Sequence, residues 1–334
     1  MNILITGASG YIGSHTLALL LEAGHEVTAL DNLSNSSCDV IKTLEVISNK
    51  KINFIQGDIL DTSLLNSIFK KNKIDCVIHF AALKSVEDSI SDPITYYKNN
   101  ITGSINLLNS MHLNQVKNII FSSSATVYGK PSELPIDESH QINPTNPYGK
   151  TKAYIEEMLK DISISDSSWK IICLRYFNPV GSHPSGLIGE SPKGIPSNLM
   201  PYISMVANGL VEHLNIYGDD YDTRDGTGVR DYIHIMDLAE GHLAAVNNIL
   251  LKGDSFSTYN LGTGSGFSVK EIVEAYESAS NKKILCKIKG RRHGDIASCY
   301  AKVEKAKNEL NWVATKSLQD MCQSAWNFSN NYDK

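Results

Sequence analysis

The sequence predicts an α/β fold, a doubly wound parallel sheet followed by a smaller C-terminal α/β lobe. Three observations predict it. Short, continuously apolar runs recur through residues 2–177 with helical patterns between them, as strands buried on both faces require. A glycine-rich turn, "TGASGYIG", joins the first such run to the first helical pattern. After Asn178 the texture changes to Gly, Pro and Ser in "NPVGSHPSGLIGESPKGIPSN", which marks a long ordered loop and the entry to a second lobe.

The elements follow in order. "NILIT" is the first strand, "YIGSHTLALLLEAG" the first helix and "EVTAL" the second strand. "INFIQ" and "IDCVIHFAA" are the next strands, and residues 95–113 form one helix. "NIIFSSS" is a strand whose continuation, "SSSATVYG", is too small and polar to suit a core. A helix starts at Tyr148 behind "NPTNP", and "KIICLRYF" closes the first domain. Beyond the loop, "LNIYG", "DYIHI" and "TYNLG" are short strands, with helices over 237–250 and 269–279. The expected division is 1–177 and 178–334, with some segments of the second part returning to the first. Sheets of this class bind ligands at the carboxyl ends of their strands.

Composition narrows the function classes. Of 334 residues, 42% are hydrophobic and 20% charged, which is ordinary globular usage. A net charge of -5 argues against a general nucleic-acid binder but leaves room for an anionic small molecule held by local positive charge. The six cysteines are scattered, with no C-x-x-C and no histidine at ligand spacing, so we expect reduced thiols and no metal site. No apolar run approaches ~20 residues, and "MNILITGASG" has no cationic segment ahead of an apolar one. The expectation is a soluble, cytoplasmic protein with no membrane partner.

Gly7, Gly10 and Gly13 form G-x-x-G-x-x-G between the first strand and first helix. Such glycines let backbone N–H groups approach a pyrophosphate, whose charge the helix N-terminus then stabilises. Alone the spacing also fits a plain glycine turn. With Asp31 ending the second strand it reads as a Rossmann-type dinucleotide site. A carboxylate there accepts hydrogen bonds from both ribose hydroxyls of NAD and repels a 2′-phosphate, so NAD is expected over NADP; a turn or cap role ahead of Asn32 is the structural alternative. Asp58, after "INFIQG", is placed for the adenine edge.

Tyr148 and Lys152 make Y-x-x-x-K, a spacing that chance also produces. Its place matters more than its occurrence: i, i+4 puts both side chains on one helix face, just after the serine-ended strand. Tyrosine's pKa near 10 is too high for a base at neutral pH, so a neighbouring ammonium and a positive nicotinamide ring are together expected to favour the phenolate by ~2–4 units. Ser124 would hydrogen-bond the reacting oxygen. The structural alternatives are a surface helix pair and a strand-end hydroxyl satisfying backbone.

"TGASGYIG", "HFAALKSVEDS", "YYKNNITGS", "SSSATVYG" and "NPYGKTK" stand in the order and spacing of one family. On these motifs the chain resembles the extended short-chain dehydrogenase/reductases, from Met1 to about Trp326. The resemblance implies an NAD site of Gly7, Gly10, Tyr11, Ile12, Gly13, Asp31, Asn32, Asn35, Asp58, Ile59, Phe80, Ala81, Lys84, Asn99, Tyr148, Lys152 and Tyr176. Members that dehydrate nucleotide sugars carry an Asp-Glu pair after the third serine, and the related decarboxylases keep the Glu. Here those positions are Ala125 and Thr126, which cannot act as acid and base, so oxidation at one carbon remains with nothing set up to eliminate.

"NPVGSHPSGLIGE", "GIPSNLMPYI", "YDTRDGTGVRDYIHIMDLAEGH" and "GRRHGD" are similar to the UDP-hexose 4-epimerase branch of that family; Ser197 replaces the branch's usual Asn. This implies C4 epimerisation of UDP-Glc/UDP-Gal through a 4-keto sugar, NAD being reduced and reoxidised in each cycle. The implied substrate contacts are Ser124, Tyr148, Asn178, Asn198, Leu199, Tyr217, Arg230, Arg291, Asp295 and Cys299. Four of the five arginines (Arg224, Arg230, Arg291 and Arg292, but not Arg175) lie in these C-terminal motifs, and a guanidinium fork suits a diphosphate. For Arg224 and Arg292 a structural ion pair is the favoured reading, and it stays open for Arg230 and Arg291. Cys299 stands where the branch walls the sugar's C2 substituent. A small residue there implies room for an N-acetyl group, hence UDP-GlcNAc/UDP-GalNAc as further substrates, unless Cys299 only packs. A homodimer is the family's habit, through the helices over 95–113 and 148–161, whose apolar residues fit core packing equally well. The alternatives are an NAD(H)-consuming UDP-sugar reductase or dehydrogenase, and a non-catalytic NAD-sensing protein.

Overall fold

In the computed structural model the chain is described over residues 1–334, apart from 192, 193, 195, 197, 252, 293, 333 and 334, and Tyr332 by its backbone only. Ser197 thus lies outside the described residues.

The first elements are β1 (Asn2–Thr6), α1 (Tyr11–Glu22), β2 (Glu26–Asp31), α2 (Asp39–Ser48), β3 (Asn53–Gln56), α3 (Thr62–Lys71) and β4 (Cys76–His79). Then come α4 (Val86–Ser91), α5 (Pro93–Tyr96), a π-helical turn (Tyr97–Thr102), α6 (Gly103–Leu113), β5 (Asn118–Ser124), a 3-10 turn (Ala125–Tyr128), α7 (Pro147–Ser165) and β6 (Lys170–Tyr176). The later elements are β7 (Asn178–Val180), α8 (Leu199–Ala207), β8 (Leu214–Tyr217), β9 (Val229–His234), α9 (Ile235–Ile249) and β10 (Phe256–Leu261). The chain ends with β11 (Gly266–Ser268), α10 (Val269–Ser280), β12 (Cys286–Lys289), β13 (Ser298–Cys299), α11 (Glu304–Leu310) and α12 (Leu318–Tyr332).

Two compact units result. One contains residues 1–130, 141–176 and 239–259; the other contains 131–140, 177–238 and 260–334. The unit boundary runs through α9 and β10.

The first unit is built on a seven-stranded sheet of order β10-β6-β5-β4-β1-β2-β3. The ladders joining β3 through β6 are parallel. Strand order reverses between β1 and β4, and at such a switch point the carboxyl ends of the strands leave a crevice. Leu4, Leu30, Val77, Ile119, Phe121 and Ile171 come from successive strands into one apolar cluster, which Leu65, Leu107 and Leu159 cover from the helices. Ser122 and Ser123 also lie buried in β5, so the strand reaches deeper into the polar run than its composition suggests. "TYNLG", expected among the second lobe's strands, is β10, the edge of this sheet beside β6.

The expected 95–113 helix is broken into α5, the π-helical turn and α6. Asn100, fully buried in that turn, explains the break. Its side chain donates to Leu83 O (3.0 Å) and Thr151 Oγ1 (3.0 Å) and accepts from Leu83 N (2.8 Å), while its carbonyl accepts from Ser104 Oγ (2.6 Å). A helix bulged to aim a buried amide in this way is a common mark of functional regions.

The second unit has a sheet of order β11-β9-β13, with β7 also paired to β9, and a two-stranded sheet β12-β8. Ile203, Ile272, Tyr276 and Met321 from α8, α10 and α12 form its core with Ile216 and Tyr232. A reciprocal capping box, Ser268 with Glu271, starts α10.

Candidate active site

The glycine turn comes first along the chain. Gly7 has φ +71°, and a Cβ there would lie 2.8 Å from Ala81 N; a Cβ on Gly13 would lie 2.2 Å from Gly7 O. Only glycine lets the turn pack against the end of β4 and against α1. The N-terminus of α1 has no side-chain cap and no acidic residue in its first turn, so the chain itself places no negative charge there. Asp31, 8% exposed, accepts from Ser9 N (3.0 Å), Leu33 N (2.8 Å) and Ser36 Oγ (3.1 Å), which ties the end of β2 to the glycine turn. Asn32 donates to Asp58 (2.9 Å), so these two are neighbours, while Asn35 lies exposed. Ile59 fills the space beside Gly103, whose Cβ would meet Ile59 Cδ1 at 2.4 Å.

At the end of β5, Ser124 pairs in register with Tyr176 of β6. Its hydroxyl accepts from Thr126 N (3.2 Å) and Thr126 Oγ1 (3.0 Å), starting the 3-10 turn that carries Ala125. Asn146 caps α7 by accepting from Gly149 N (2.8 Å), and Pro147 occupies its first position. Gly149 brings α7 against that turn, where a Cβ would stand 2.9 Å from Thr126 O. These contacts put Tyr148 beside Ser124, whose hydroxyl acts to lower the Tyr148 pKa.

In the chain alone, burial dominates the electrostatics at Tyr148. Burial pushes its pKa up to about 12, against the opposing bond from Ser124. Lys152, 3% exposed, aims its ammonium elsewhere: Nζ donates to Ser122 O at 2.7 Å and lies 5.0 Å from the Phe121 centroid and 5.9 Å from that of Tyr148. Burial pulls Lys152 down to about 7, while the Glu156 carboxylate opposes the shift. The phenolate therefore needs positive charge beyond what Lys152 gives in the chain alone.

Two partners escaped sequence reasoning. His242 of α9, fully buried, shares a 2.5 Å hydrogen bond with the Tyr176 hydroxyl and packs against Phe80 with ring centroids 4.9 Å apart. It lies 66 residues beyond Tyr176, and although it closes the motif "YDTRDGTGVRDYIHIMDLAEGH", nothing local assigns it that partner. Glu156 had a signal, since it follows Tyr148 and Lys152 by eight and four residues on one helix face. It accepts from Ser123 Oγ and is held by Arg175, with Nη2–Oε2 at 2.6 Å. Asn99 donates to Asn100 Oδ1 (2.9 Å) in the π-helical turn, and Lys84 lies exposed after β4.

The other expected contacts lie in the second unit. Cys299 of β13 stands in parallel register with Arg230 of β9, and Asn178 begins β7 in register with Tyr232 of the same strand. Arg230 donates to Val229 O and Ile296 O (2.9 Å each) and lies 3.8 Å from Asp295. Arg291 is paired with Asp220 at 2.7 Å and covers the Tyr221 ring, and Arg292 covers Tyr217 with 3.9 Å to the centroid. Arg224 pairs with Glu271, as favoured for it, and Arg175 is paired with Glu156. Asn198 precedes Leu199 at the start of α8 and donates to Glu190 (2.6 Å). Among the described residues no cluster of three or more His, Cys, Asp or Glu is arranged for a metal ion, and no helix is long and apolar enough to cross a membrane.

Comparisons with known proteins agree with this geometry. The family described as GDP-mannose 4,6 dehydratase matches residues 4–325. A UDP-glucose 4-epimerase of Yersinia enterocolitica is 54% identical over 327 residues, covering 98% of this chain and 96% of that one. The crystal structure of UDP-glucose 4-epimerase from Bifidobacterium longum in complex with NAD+ and UDP superposes with a TM-score of 0.96 at 49% identity, over 100% and 99% of the two chains. The UDP-Glc/GlcNAc 4-epimerase of Campylobacter jejuni gives a TM-score of 0.86 at 36% identity, over 99% of each chain. With a Rossmann-type sheet, a glycine turn at its switch point and these full-length matches, the chain belongs to the extended short-chain dehydrogenase/reductase family and groups within it with the UDP-glucose 4-epimerases.

Proposed function

We propose that the protein interconverts UDP-Glc and UDP-Gal by reversible epimerisation at C4 with NAD as a retained cofactor, and accepts UDP-GlcNAc and UDP-GalNAc as well. One observation carries the reading: Tyr148 stands beside Ser124, whose hydroxyl acts to lower the Tyr148 pKa, while Ala125 and Thr126 fill the adjoining turn. This supports Tyr148 as the proton-transfer group, beside two residues that cannot serve as the acid and base a dehydratase needs to expel water. The names of the full-length relatives point the same way.

The residues fit NAD. The turn leaves no space for a Cβ at Gly7 or Gly13 and opens on an uncapped helix N-terminus, which suits a pyrophosphate. Asp31 stands at the end of β2, where a ribose is held in this fold. When bound, NAD supplies the hydride acceptor and donor and, oxidised, a positive charge. Tyr148 takes the proton of the C4 hydroxyl and gives one back to the 4-keto oxygen. Ser124 hydrogen-bonds that oxygen, and Lys152 fixes the end of β5 through Ser122 O. Phe80, Tyr176 and Asn99 line the cofactor, with Gly10, Tyr11, Ile12, Asn32, Asn35, Asp58, Ile59, Ala81 and Lys84 at its nucleotide end. Asn178, Asn198, Leu199, Tyr217, Arg230, Arg291 and Asp295 hold UDP.

The test is proton NMR of the anomeric signals after incubation with UDP-Gal, and separately UDP-GlcNAc, with no NAD added. Both should convert. NADH released one-for-one with substrate would make the protein a dehydrogenase, and no turnover even with NAD supplied would sink the reading. Cys299 sets the sugar range: Cys299→Tyr should remove turnover of the N-acetyl pair and spare the plain hexoses. Equal loss on both pairs would reduce Cys299 to packing.

The protein works as a cytoplasmic homodimer in this reading. Ile94, Ile105, Tyr154 and Ile164 stand exposed on α5, α6 and α7, an apolar face for a second copy. The six free thiols suit a reducing compartment, which cell fractionation checks. Sedimentation should give twice the chain mass, and Ile94→Glu with Ile164→Glu should halve it.

A further inference from the structure

A buried run of hydrogen bonds passes through the first unit, from the glycine turn to the helix that carries Tyr148. Thr6, His79, Asn100, Ser104 and Thr151 make it, each at most 2% exposed. Ala81 N donates to Thr6 Oγ1 (3.3 Å), and Thr6 Oγ1 meets His79 Nδ1 at 2.7 Å. Across the ring, His79 Nε2 meets Ser104 Oγ at 2.9 Å, and Ser104 Oγ donates to Asn100 O (2.6 Å). Asn100 Nδ2 donates to Thr151 Oγ1 (3.0 Å), which in turn donates to Tyr148 O (2.7 Å). Thr6 directly precedes Gly7, and Ala81 N is the atom that a Cβ on Gly7 would meet first.

Proton counting fixes the tautomer of His79. A hydroxyl has one proton to give. Ser104 gives its own to Asn100 O, so towards His79 it can only accept, and Nε2 must carry the ring hydrogen. Nδ1 of the neutral ring is then bare and accepts from Thr6, whose oxygen in turn accepts from Ala81 N. Burial, helped by the Lys152 ammonium, holds the His79 pKa down at about 3, so the ring stays neutral. Every bond therefore points the same way, from Ala81 N to Tyr148 O, an order in which each polarises the next.

We infer that His79 is a positioning residue, which in its Nε2–H form ties the glycine turn to the π-helical turn and so places the backbone at Tyr148 for proton transfer. The inference rests on the reading of Tyr148 as the proton carrier. An apolar ring could fill the same space, but it would leave Thr6 and Ser104 each with one buried hydrogen bond unmade. Asparagine and glutamine divide the two roles of the imidazole. In His79→Asn, Oδ1 stands as many bonds from Cα as Nδ1 and can accept from Thr6, while Ser104 loses its donor. In His79→Gln, Nε2 can donate to Ser104, while Thr6 loses its acceptor.

Long-range proton–nitrogen NMR of the full chain, with 15N-labelled histidine, reads the tautomer directly. The His79 signal, identified by its loss in His79→Gln, should show the Nε2–H pattern and no titration between about pH 5 and 8. Kinetics on UDP-Gal and equilibrium dialysis of NAD then separate the two halves of the run, with thermal melts to confirm folding. His79→Asn should lower kcat about 10-fold and leave NAD affinity within about twofold, and Ser104→Ala should do the same. His79→Gln should weaken NAD about 10-fold and spare kcat at saturating NAD. Tenfold is what one lost hydrogen bond of about 1.4 kcal/mol produces. An Nδ1–H pattern, or a titration in that range, would overturn the inference. So would equal losses in the two His79 variants, the mark of a ring that only fills space, or an unchanged kcat in Ser104→Ala. If the variants do not fold, the wild-type spectrum decides. Absence of UDP-Gal turnover in the wild type would instead strike the Tyr148 reading, and the tautomer would still stand or fall on the spectrum.

Discussion

Tyr148→Phe should lower kcat by ~10²–10⁴, the range that a positioned acid–base group supplies. The ring stays, so folding and UDP binding should be preserved and only the proton at the C4 oxygen loses its carrier. Burial already raises the Tyr148 pKa to about 12 in the chain alone, and Ser124 is the group that opposes it. Removing Ser124 should thus cost less than removing Tyr148, because it takes away one hydrogen bond and leaves the proton carrier. The check is single-turnover conversion of UDP-Gal by NAD-loaded enzyme. Near-normal turnover in Tyr148→Phe would remove Tyr148 from the chemistry.

Glu156→Ala should cost about 3–5 kcal/mol of folding stability, the penalty for stranding one charge of a buried pair. Arg175 and Glu156 have side chains 7% and 5% exposed, with Arg175 Nε 3.0 Å and 3.2 Å from the two carboxylate oxygens and Nη2 at 2.6 Å. Arg175 also donates to the Tyr128 hydroxyl (2.9 Å) and lies over its ring. Urea denaturation measures the loss. Replacing both partners, Glu156→Leu with Arg175→Met, should recover much of it, since an apolar pair of similar size leaves no buried charge unpaired. A Glu156→Ala loss below about 1 kcal/mol would put the pair in the class of solvated ion pairs.

Much of the first unit was legible because its strands are continuous apolar runs, a pattern that only a sheet covered on both faces requires. The proposed set of Ser124, Tyr148 and Lys152 could be singled out in the sequence because Tyr148 and Lys152 keep helical spacing directly after a serine-ended strand. The π-helical turn was not, because it depends on Asn100 reaching Leu83 and Thr151, contacts made only after folding. His242 stayed hidden for the same reason, since its partner Tyr176 lies 66 residues away in the chain. The first partner of the Lys152 ammonium was not legible either. Sequence spacing puts Lys152 on the face of Tyr148, but the ammonium is claimed by Ser122 O, a carbonyl whose position no spacing rule gives.

The division into two units has a consequence for how the protein is made. The chain passes between the units at 130/131, 140/141, 176/177, 238/239 and 259/260, so neither is a continuous stretch. As the polypeptide emerges from a ribosome, the large sheet has six of its strands by residue 176 but waits for β10 at Phe256–Leu261. Until then β6 has a bare edge, ready to pair with a neighbouring nascent chain. A fragment cut at 177, where the sequence alone invites the cut, would keep that edge exposed and lack His242. The stretch from α9 into β10 thus completes the first unit, and vectorial synthesis delivers it only after residues 177–238 of the other unit.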